Sequence, residues 1–253
     1  MGPRIVGRRR EGGRGGGSIG VVIDIDHLAS EVAELQPQPR QSYWRSLSFC
    51  VLDAVFSIGA RYSTVVAVVR RVATDCAITP PTSPDVAGTD PDPLPLPQLL
   101  DRFPTAEELS AVARNRQRTS TRNGILKADA GLQYAKILAG QDITTLAAAR
   151  DVLADAERLR AVETDLATVP GEGSAGVRRG YLWMLVGADD LIKPDRMVLR
   201  WLRHRGADVD PAGARIVLKD IAEHLTRTQG HPVTAWEIDH AIWAVERARR
   251  PIR

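Results

Sequence analysis

The segment that decides the fold reads Val169-Pro170-Gly171-Glu172-Gly173-Ser174-Ala175-Gly176-Val177, and helical apolar periodicity flanks it on both sides. Glycine adopts backbone conformations that cost other residues free energy, so Pro-Gly-x-Gly predicts a tight turn between two helices. Backbone N–H groups at the start of the second helix then face outward and can hold a phosphate. Such a turn grips a nucleic-acid backbone without reading its bases. The alternative is an ordinary turn between two helices.

A second informative segment, Pro194-Asp195-Arg196-Met197-Val198-Leu199-Arg200, follows the turn after one predicted helix. Asp195 stands at the start of the next predicted helix, where the helix dipole favours a negative charge. The simplest interpretation of Asp195 is a helix cap. The glycine turn upstream favours a catalytic role instead.

The two segments together resemble the helix-hairpin-helix-GPD superfamily of DNA glycosylases, the group that contains endonuclease III. That superfamily places an aspartate and an Asp-x-x-Val-x-Arg helix start about twenty residues after a Pro-Gly-x-Gly hairpin, and Asp195, Val198 and Arg200 match this pattern. Phe103-Pro104-Thr105-Ala106-Glu107 is similar to another helix start of the superfamily. The resemblance covers roughly residues 44–205 and implies an all-α, two-lobed glycosylase fold, with DNA lying across the cleft between the lobes.

This resemblance implies a hydrolase of base excision in DNA repair, which flips a damaged or modified base out of the duplex. Cleavage of the N-glycosidic bond builds positive charge on the sugar, and a carboxylate stabilises that charge and orients water. Asp195 is the candidate for this role. Bifunctional relatives carry a lysine where this chain has Ala175, so we expect no lyase activity. The superfamily's iron–sulfur cysteine cluster is also missing from this sequence.

The resemblance and the local charge suggest further site residues. We expect a group of residues at the hairpin and at the second helix start to contact the DNA backbone: Gly171, Gly173, Ser174, Ala175, Arg178 and Arg196. Candidates for a base pocket or wedge are Asp53, Arg61, Tyr62 and Tyr181. Asp53 lies in the most apolar helix of the chain, so its alternative role is a structural hydrogen bond. Glu172 places a negative charge in the turn, where it would weaken the grip on phosphate.

The chain is predicted to be helical along most of its length, with no convincing β-alternation. We divide it into a disordered basic tail over 1–18, N-terminal helices over 19–78, a Pro-rich insertion over 79–97, a helical barrel with the hairpin over 98–190, and C-terminal helices over 191–253 that pack back on the N-terminal part. The helix pair at 46–73 is expected to join the barrel. The insertion is expected to lie outside the core, and a single helix is predicted over 144–161.

Charge and composition narrow the class of protein. Residues 1–18 carry five Arg and one Glu, whereas residues 177–205 hold seven basic and three acidic side chains, a balance of +4 that could neutralise phosphates. Two cysteines are too few for a disulfide scaffold, and no metal-ligand spacing is present. We expect a monomer in the cytoplasm, associated with the nucleoid, that binds double-stranded DNA and no membrane. It needs no cofactor, although the resemblance allows a monovalent cation on the hairpin carbonyls.

Two other functions stay open at this point. One is a DNA-binding protein on the same fold that lacks catalysis. The other is a helical interaction protein that binds no DNA. DNA binding separates this last function from the first two, and base release separates the enzyme from the non-catalytic binder.

Overall fold

The computed structural model describes residues 6–7, 21–84, 91–172, 176–190, 192 and 194–248. The described residues form an all-α protein with short β-strands. The helices are α1 Ile25–Glu34, α2 Leu47–Phe56, α3 Tyr62–Asp75, α4 Leu96–Arg102, α5 Ala106–Ala113, α6 Lys127–Gly140, α7 Leu146–Leu153, α8 Ala156–Leu166, α9 Val177–Val186, α10 Arg196–His204, α11 Pro211–Gln229 and α12 Ala235–Ala248. Two antiparallel pairs of strands, which the sequence did not predict, are β1 Val6–Gly7 with β2 Val21–Val22, and β3 Tyr43–Trp44 with β4 Thr82–Ser83. None of the described helices combines the length and apolar character that a membrane span requires.

The chain divides into two compact units. The larger unit is Gln41–Ala188 and holds α2 to α9. The smaller unit combines Met1–Arg40 with Asp189–Arg253, and its described helices are α1 and α10 to α12. The helix pair α2 and α3 therefore belongs to the same unit as α8 and α9.

The core of the larger unit is built around α2. All ten residues of this helix are buried, and it packs against α3, α6 and α9. The sequence accounts for this position, because a helix that is apolar on every side has no face to present to water. Ser46 caps its start, with a hydroxyl that accepts from the backbone N–H of Ser48 at 3.2 Å.

Part of the Pro-rich segment belongs to this core, so the expectation that residues 79–97 lie outside it is wrong for its end. Leu94 and Leu96 are buried, and α4 begins at Leu96. Asp92 explains the arrangement, because its Oδ2 accepts from the backbone N–H of Leu47 at 3.0 Å and of Leu146 at 2.8 Å. One carboxylate thereby satisfies the first N–H groups of both α2 and α7.

The single helix predicted over 144–161 is two helices, α7 and α8. Asp155 stands between them, and its side chain accepts from the backbone N–H groups of Glu157 and Arg158, each at 3.0 Å. An aspartate prefers this capping position to a helix interior. The prediction followed the apolar periodicity through the break and missed the cap.

The smaller unit joins the two ends of the described chain. Helix α1 packs against α11, and α10 packs against α12. Arg205 donates to Glu31 at 2.8 Å, which ties the residues after α10 to α1. Arg200 pairs with the buried Glu246 at 2.6 Å, which ties α10 to α12.

Candidate functional site

The turn between α8 and α9 requires glycine at Gly171. Its φ is +84°, and a Cβ there would lie 2.3 Å from Oγ1 of Thr119. Any other residue would combine an unfavourable backbone conformation with a steric clash. The buried Val169 anchors the turn, with its carbonyl accepting from the N–H of Glu172 at 3.2 Å.

Helix α9 begins after Gly176, which caps the helix with a φ of +61°. Three of the predicted DNA-backbone residues, Gly173, Ser174 and Ala175, lie outside the described residues. The structure therefore gives the entry into the turn and the start of α9. The expected contacts between the hairpin N–H groups and phosphate stay a prediction.

The expectation that Arg178 contacts a DNA phosphate needs correction. Its side chain is only 1% exposed and points into the protein, where Nη2 donates to the carbonyl of Gly171 at 2.8 Å. Nη1 lies 3.4 Å from Oε2 of Glu172. The guanidinium therefore binds within the protein, and it occupies the Gly171 carbonyl, one of the carbonyls to which the resemblance would assign a cation.

Glu172 is buried, so its charge does not face a phosphate at the turn as the sequence predicted. Its side chain is 2% exposed, accepts a hydrogen bond from the Tyr134 hydroxyl, and pairs with Arg178 and, at 3.2 Å, with Arg179. Burial raises the pKa of the Glu172 carboxyl, while Tyr134 and the two arginines act in the opposite direction. Burial and the Glu172 charge raise the pKa of the Tyr134 hydroxyl. We call Glu172, Tyr134, Arg178 and Arg179 the turn cluster.

Lys127, at the start of α6, is buried and lies within electrostatic reach of Arg178 in the turn cluster. Its Nζ donates to the carbonyls of Phe56 at 3.0 Å and Ile58 at 2.6 Å, and to Oε1 of Gln117 at 3.0 Å. These carbonyls lie at the end of α2 and just after it, where a helix leaves its last carbonyl groups without a partner in the helix. Burial, followed by the positive charge of Arg178, lowers the pKa of Lys127 to about 8.

Asp195 lies in the smaller unit and caps α10. Its Oδ1 accepts from the backbone N–H of Met197 at 2.6 Å and of Val198 at 3.1 Å. Oδ2 accepts no hydrogen bond from the described residues, and the side chain is half-buried. The carboxylate is thus fixed by one oxygen and leaves the other available, beside the exposed Arg196.

The basic stretch at 177–205 is less available than its count of charges suggested. Arg178 and Arg179 pair with Glu172. Three arginines in and just after α10 also form ion pairs: Arg200 with Glu246, Arg203 with Asp208 at 2.9 Å, and Arg205 with Glu31. Lys193 lies outside the described residues. Within the described part of this stretch, Arg196 is the arginine without an ion pair.

The candidates for a base pocket have different surroundings. Asp53 is fully buried, and its Oδ2 accepts from Nε1 of Trp44 at 2.7 Å. Asp53 therefore makes the structural hydrogen bond that was its alternative role, in place of a contact with a base. Tyr62 begins α3 and Arg61 precedes it, in the same unit as Gly171; Arg61 is exposed, and Tyr62 is 42% exposed. Tyr181 is half-buried on α9.

Sequence reasoning missed a basic segment that lies against Gly171. Between α5 and α6 the chain carries Arg114, Arg116, Arg118 and Arg122, all exposed, and no acidic residue stands between Glu108 and Asp129. Thr119, in the middle of this segment, is the residue that contacts Gly171. A scan for local charge without acidic neighbours would have found these residues. We call residues 114–122 the arginine loop.

No group of three or more His, Cys, Asp or Glu side chains that could hold a metal ion occurs among the described residues. No curated protein matches the chain, and no solved structure does. A family model, described as a domain of unknown function (DUF8548), matches residues 24–247. Because this match spans most of the chain, the protein belongs to the DUF8548 family.

Proposed function

We propose that the protein is a monofunctional DNA N-glycosylase with Asp195 as its catalytic carboxylate. The observation that carries this proposal is the state of Asp195, whose Oδ1 is fixed by two backbone N–H groups while Oδ2 is open. A carboxylate held in this way can face developing positive charge without rearranging during the reaction. A helix cap alone needs only the oxygen that is already bonded.

The reaction is hydrolysis of the bond between C1′ of the sugar and the base nitrogen. The electron pair of that bond leaves with the base, and Asp195 stabilises the oxocarbenium-like sugar. Asp195 orients a water molecule, whose oxygen bonds to C1′. One of its protons stays on the new C1′ hydroxyl, the other passes to solvent, and the departing base nitrogen takes up one proton from solvent. Ala175 offers no amine for a Schiff base, so the product is an intact abasic strand.

The hairpin supplies the grip on the duplex in this proposal. Gly171 and the turn cluster hold the entry into the turn, at Gly171 and Glu172, against the start of α9. The N–H groups that follow would bind a phosphate, aided by the positive end of α9. No base is read by such a contact, so selectivity would come from the pocket that receives the flipped base.

A second candidate is a DNA-binding protein without catalysis. The observation in its favour is that the two hydrogen bonds of Asp195 already give this residue a structural role as the cap of α10. The protein that binds no DNA is favoured instead by the ion pairs that occupy the basic stretch at 177–205. The experiment below separates these alternatives.

The test compares the wild type with Asp195→Asn on duplexes that carry uracil, oxidised, alkylated or hypermodified bases, followed by alkali to cut abasic sites. Asparagine caps a helix as well as aspartate does, so the variant removes the charge and keeps the fold. Asp210→Asn is the matched control, because Asp210 caps α11 in the same unit by accepting from Gly213.

Cleavage by the wild type and by the control, but not by Asp195→Asn, supports the glycosylase. DNA binding with no cleavage by any of the three proteins favours the non-catalytic binder. The absence of DNA binding favours the interaction protein.

A further inference from the structure

The arginine loop presents charge that the protein itself does not neutralise. Arg114, Arg116 and Arg122 are exposed, and no described carboxylate forms an ion pair with them. Glu108, the nearest acidic residue before the loop, is occupied in the capping box of α5 with Thr105. These guanidinium groups are therefore free to bind an external anion.

A cleft between α3 and α5 extends this positive surface. It has a volume of about 650 Å³, and its lining includes Arg70, Arg71 and Arg114. Its one lining carboxylate, Asp75, pairs with Arg102 at 2.6 Å, so the cleft keeps a positive balance. Guanidinium groups bind phosphate oxygens with directed hydrogen bonds, which makes a phosphate the best-matched occupant.

Arg114 has a backbone conformation that is unfavourable for any residue other than glycine. Arg114 ends α5 in the left-handed region, with φ +48° and ψ +45°. Glycine is the residue that adopts this conformation most cheaply at a helix end. Arg114 nevertheless occupies this position, and its side chain lines the cleft, where it adds positive charge.

The arginine loop lies beside the entry into the hairpin. Thr119, in the loop, lies directly against Gly171, and both residues belong to the larger unit. A duplex whose phosphate rests on the hairpin therefore carries further phosphates toward the loop. Phosphates follow one another along each strand at regular intervals, which suits a row of arginines rather than a single one.

We propose that the arginine loop and the α3–α5 cleft form a second phosphate-binding surface, which holds the backbone of duplex DNA beside the hairpin. The proposal rests on the DNA binding that the proposed function requires, and it does not depend on catalysis by Asp195. Arg114 and Arg70 bind phosphates at the cleft, while Arg116 and Arg122 extend the contact along the loop.

The test is fluorescence anisotropy of the full chain with a labelled undamaged duplex at several salt concentrations. The variant Arg114→Gln/Arg116→Gln/Arg122→Gln removes three charges from the surface. The control, Arg158→Gln/Arg160→Gln, removes exposed arginines from α8 of the same unit. Each lost phosphate contact lowers the slope of log affinity against log salt by ~0.9 and weakens binding in ~0.1 M salt by about tenfold.

A second variant separates binding from folding. Arg114→Gly removes the charge and relieves the left-handed backbone, so we expect weaker DNA binding with an unchanged or higher Tm. A loss of binding through misfolding would instead lower the Tm.

The outcomes distinguish this proposal from the proposed function. A triple variant with the affinity and salt slope of the wild type overturns the phosphate surface and leaves the glycosylase proposal standing. A wild type that fails to bind DNA overturns both. Normal DNA binding by Asp195→Asn with no base release, together with weak binding by the triple variant, supports both. Binding to vesicles of anionic phospholipid in place of the duplex also overturns the phosphate surface as a DNA site.

Discussion

The turn cluster predicts a large loss of stability in Glu172→Ala. The side chains of Glu172 and Arg178 are 2% and 1% exposed, and they face each other at 3.4 Å. Removing the carboxylate leaves the Arg178 guanidinium buried with the Gly171 carbonyl but without its counter-charge. Loss of one partner of a buried ion pair costs ~3–5 kcal/mol. Tyr134 also loses its acceptor, and because the effects are not additive we expect a total of ~4 kcal/mol.

The assay is urea denaturation at neutral pH, with Asp151→Ala on the exposed side of α7 as the control, for which we expect a change within ~0.5 kcal/mol. The double variant Glu172→Leu/Arg178→Met removes both charges. It should recover at least ~2 kcal/mol of the loss, because no uncompensated charge is then buried. A loss below ~1 kcal/mol in Glu172→Ala, or a double variant no more stable than the single one, would refute this account of the turn.

Three further predictions concern stability. Gly171→Ala should lower the free energy of unfolding by ~2 kcal/mol, since its Cβ enters the space of Thr119 at a positive φ; a neutral effect in urea denaturation would show that the turn is loose. Asp92→Ala should cost ~3 kcal/mol because buried N–H groups of two helices lose their acceptor, and a Tm equal to that of the wild type would contradict this. Lys127, whose pKa is lowered to about 8, binds its proton less tightly in the folded than in the unfolded chain. The free energy of unfolding of the wild type should therefore rise from pH 8 to pH 10 relative to Lys127→Met, by at most ~3 kcal/mol, and a relative fall would reverse the sign of the argument.

The sequence predicted the helices well where caps and periodicity agree. The segment from Phe103 to Glu107, which was predicted to be a helix start, does begin α5, and Thr105 and Glu108 form a capping box there with both reciprocal hydrogen bonds. The helix pair predicted over 46–73 is also present, as α2 and α3 with residues 57–61 between them. Local signals of this kind depend on residues within one turn of each other, which is why a single sequence is enough to find them.

The direction of Arg178 was predictable in part. It shares a helical face with Leu182 and Leu185, both buried, so the period of α9 already placed it inward. The carboxylate that makes this burial tolerable is Glu172, on the other side of the turn. Reading charge counts along the chain, without the helix face, led to the wrong prediction of a phosphate contact.

Long-range ion pairs could not be predicted from the sequence. Arg205 meets Glu31 and Arg200 meets Glu246 only because the two ends of the chain pack together in one unit. These ion pairs neutralise Arg200 and Arg205, two of the arginines in the basic stretch that the sequence predicted to face DNA phosphates. The arginine loop keeps its charge for the opposite reason, since no carboxylate of the described residues forms an ion pair with Arg114, Arg116 or Arg122.

The most direct test of the central proposal is the detection of free base. Wild type, Asp195→Asn and Asp210→Asn are each incubated with DNA that carries a mixture of deaminated, oxidised and alkylated bases, and the small molecules released are measured by mass spectrometry. We predict free base from the wild type and from Asp210→Asn, at least ~100-fold less from Asp195→Asn, and strands that break only after alkali. Equal release by Asp195→Asn, or no release by the wild type from DNA that it binds, would contradict the proposal.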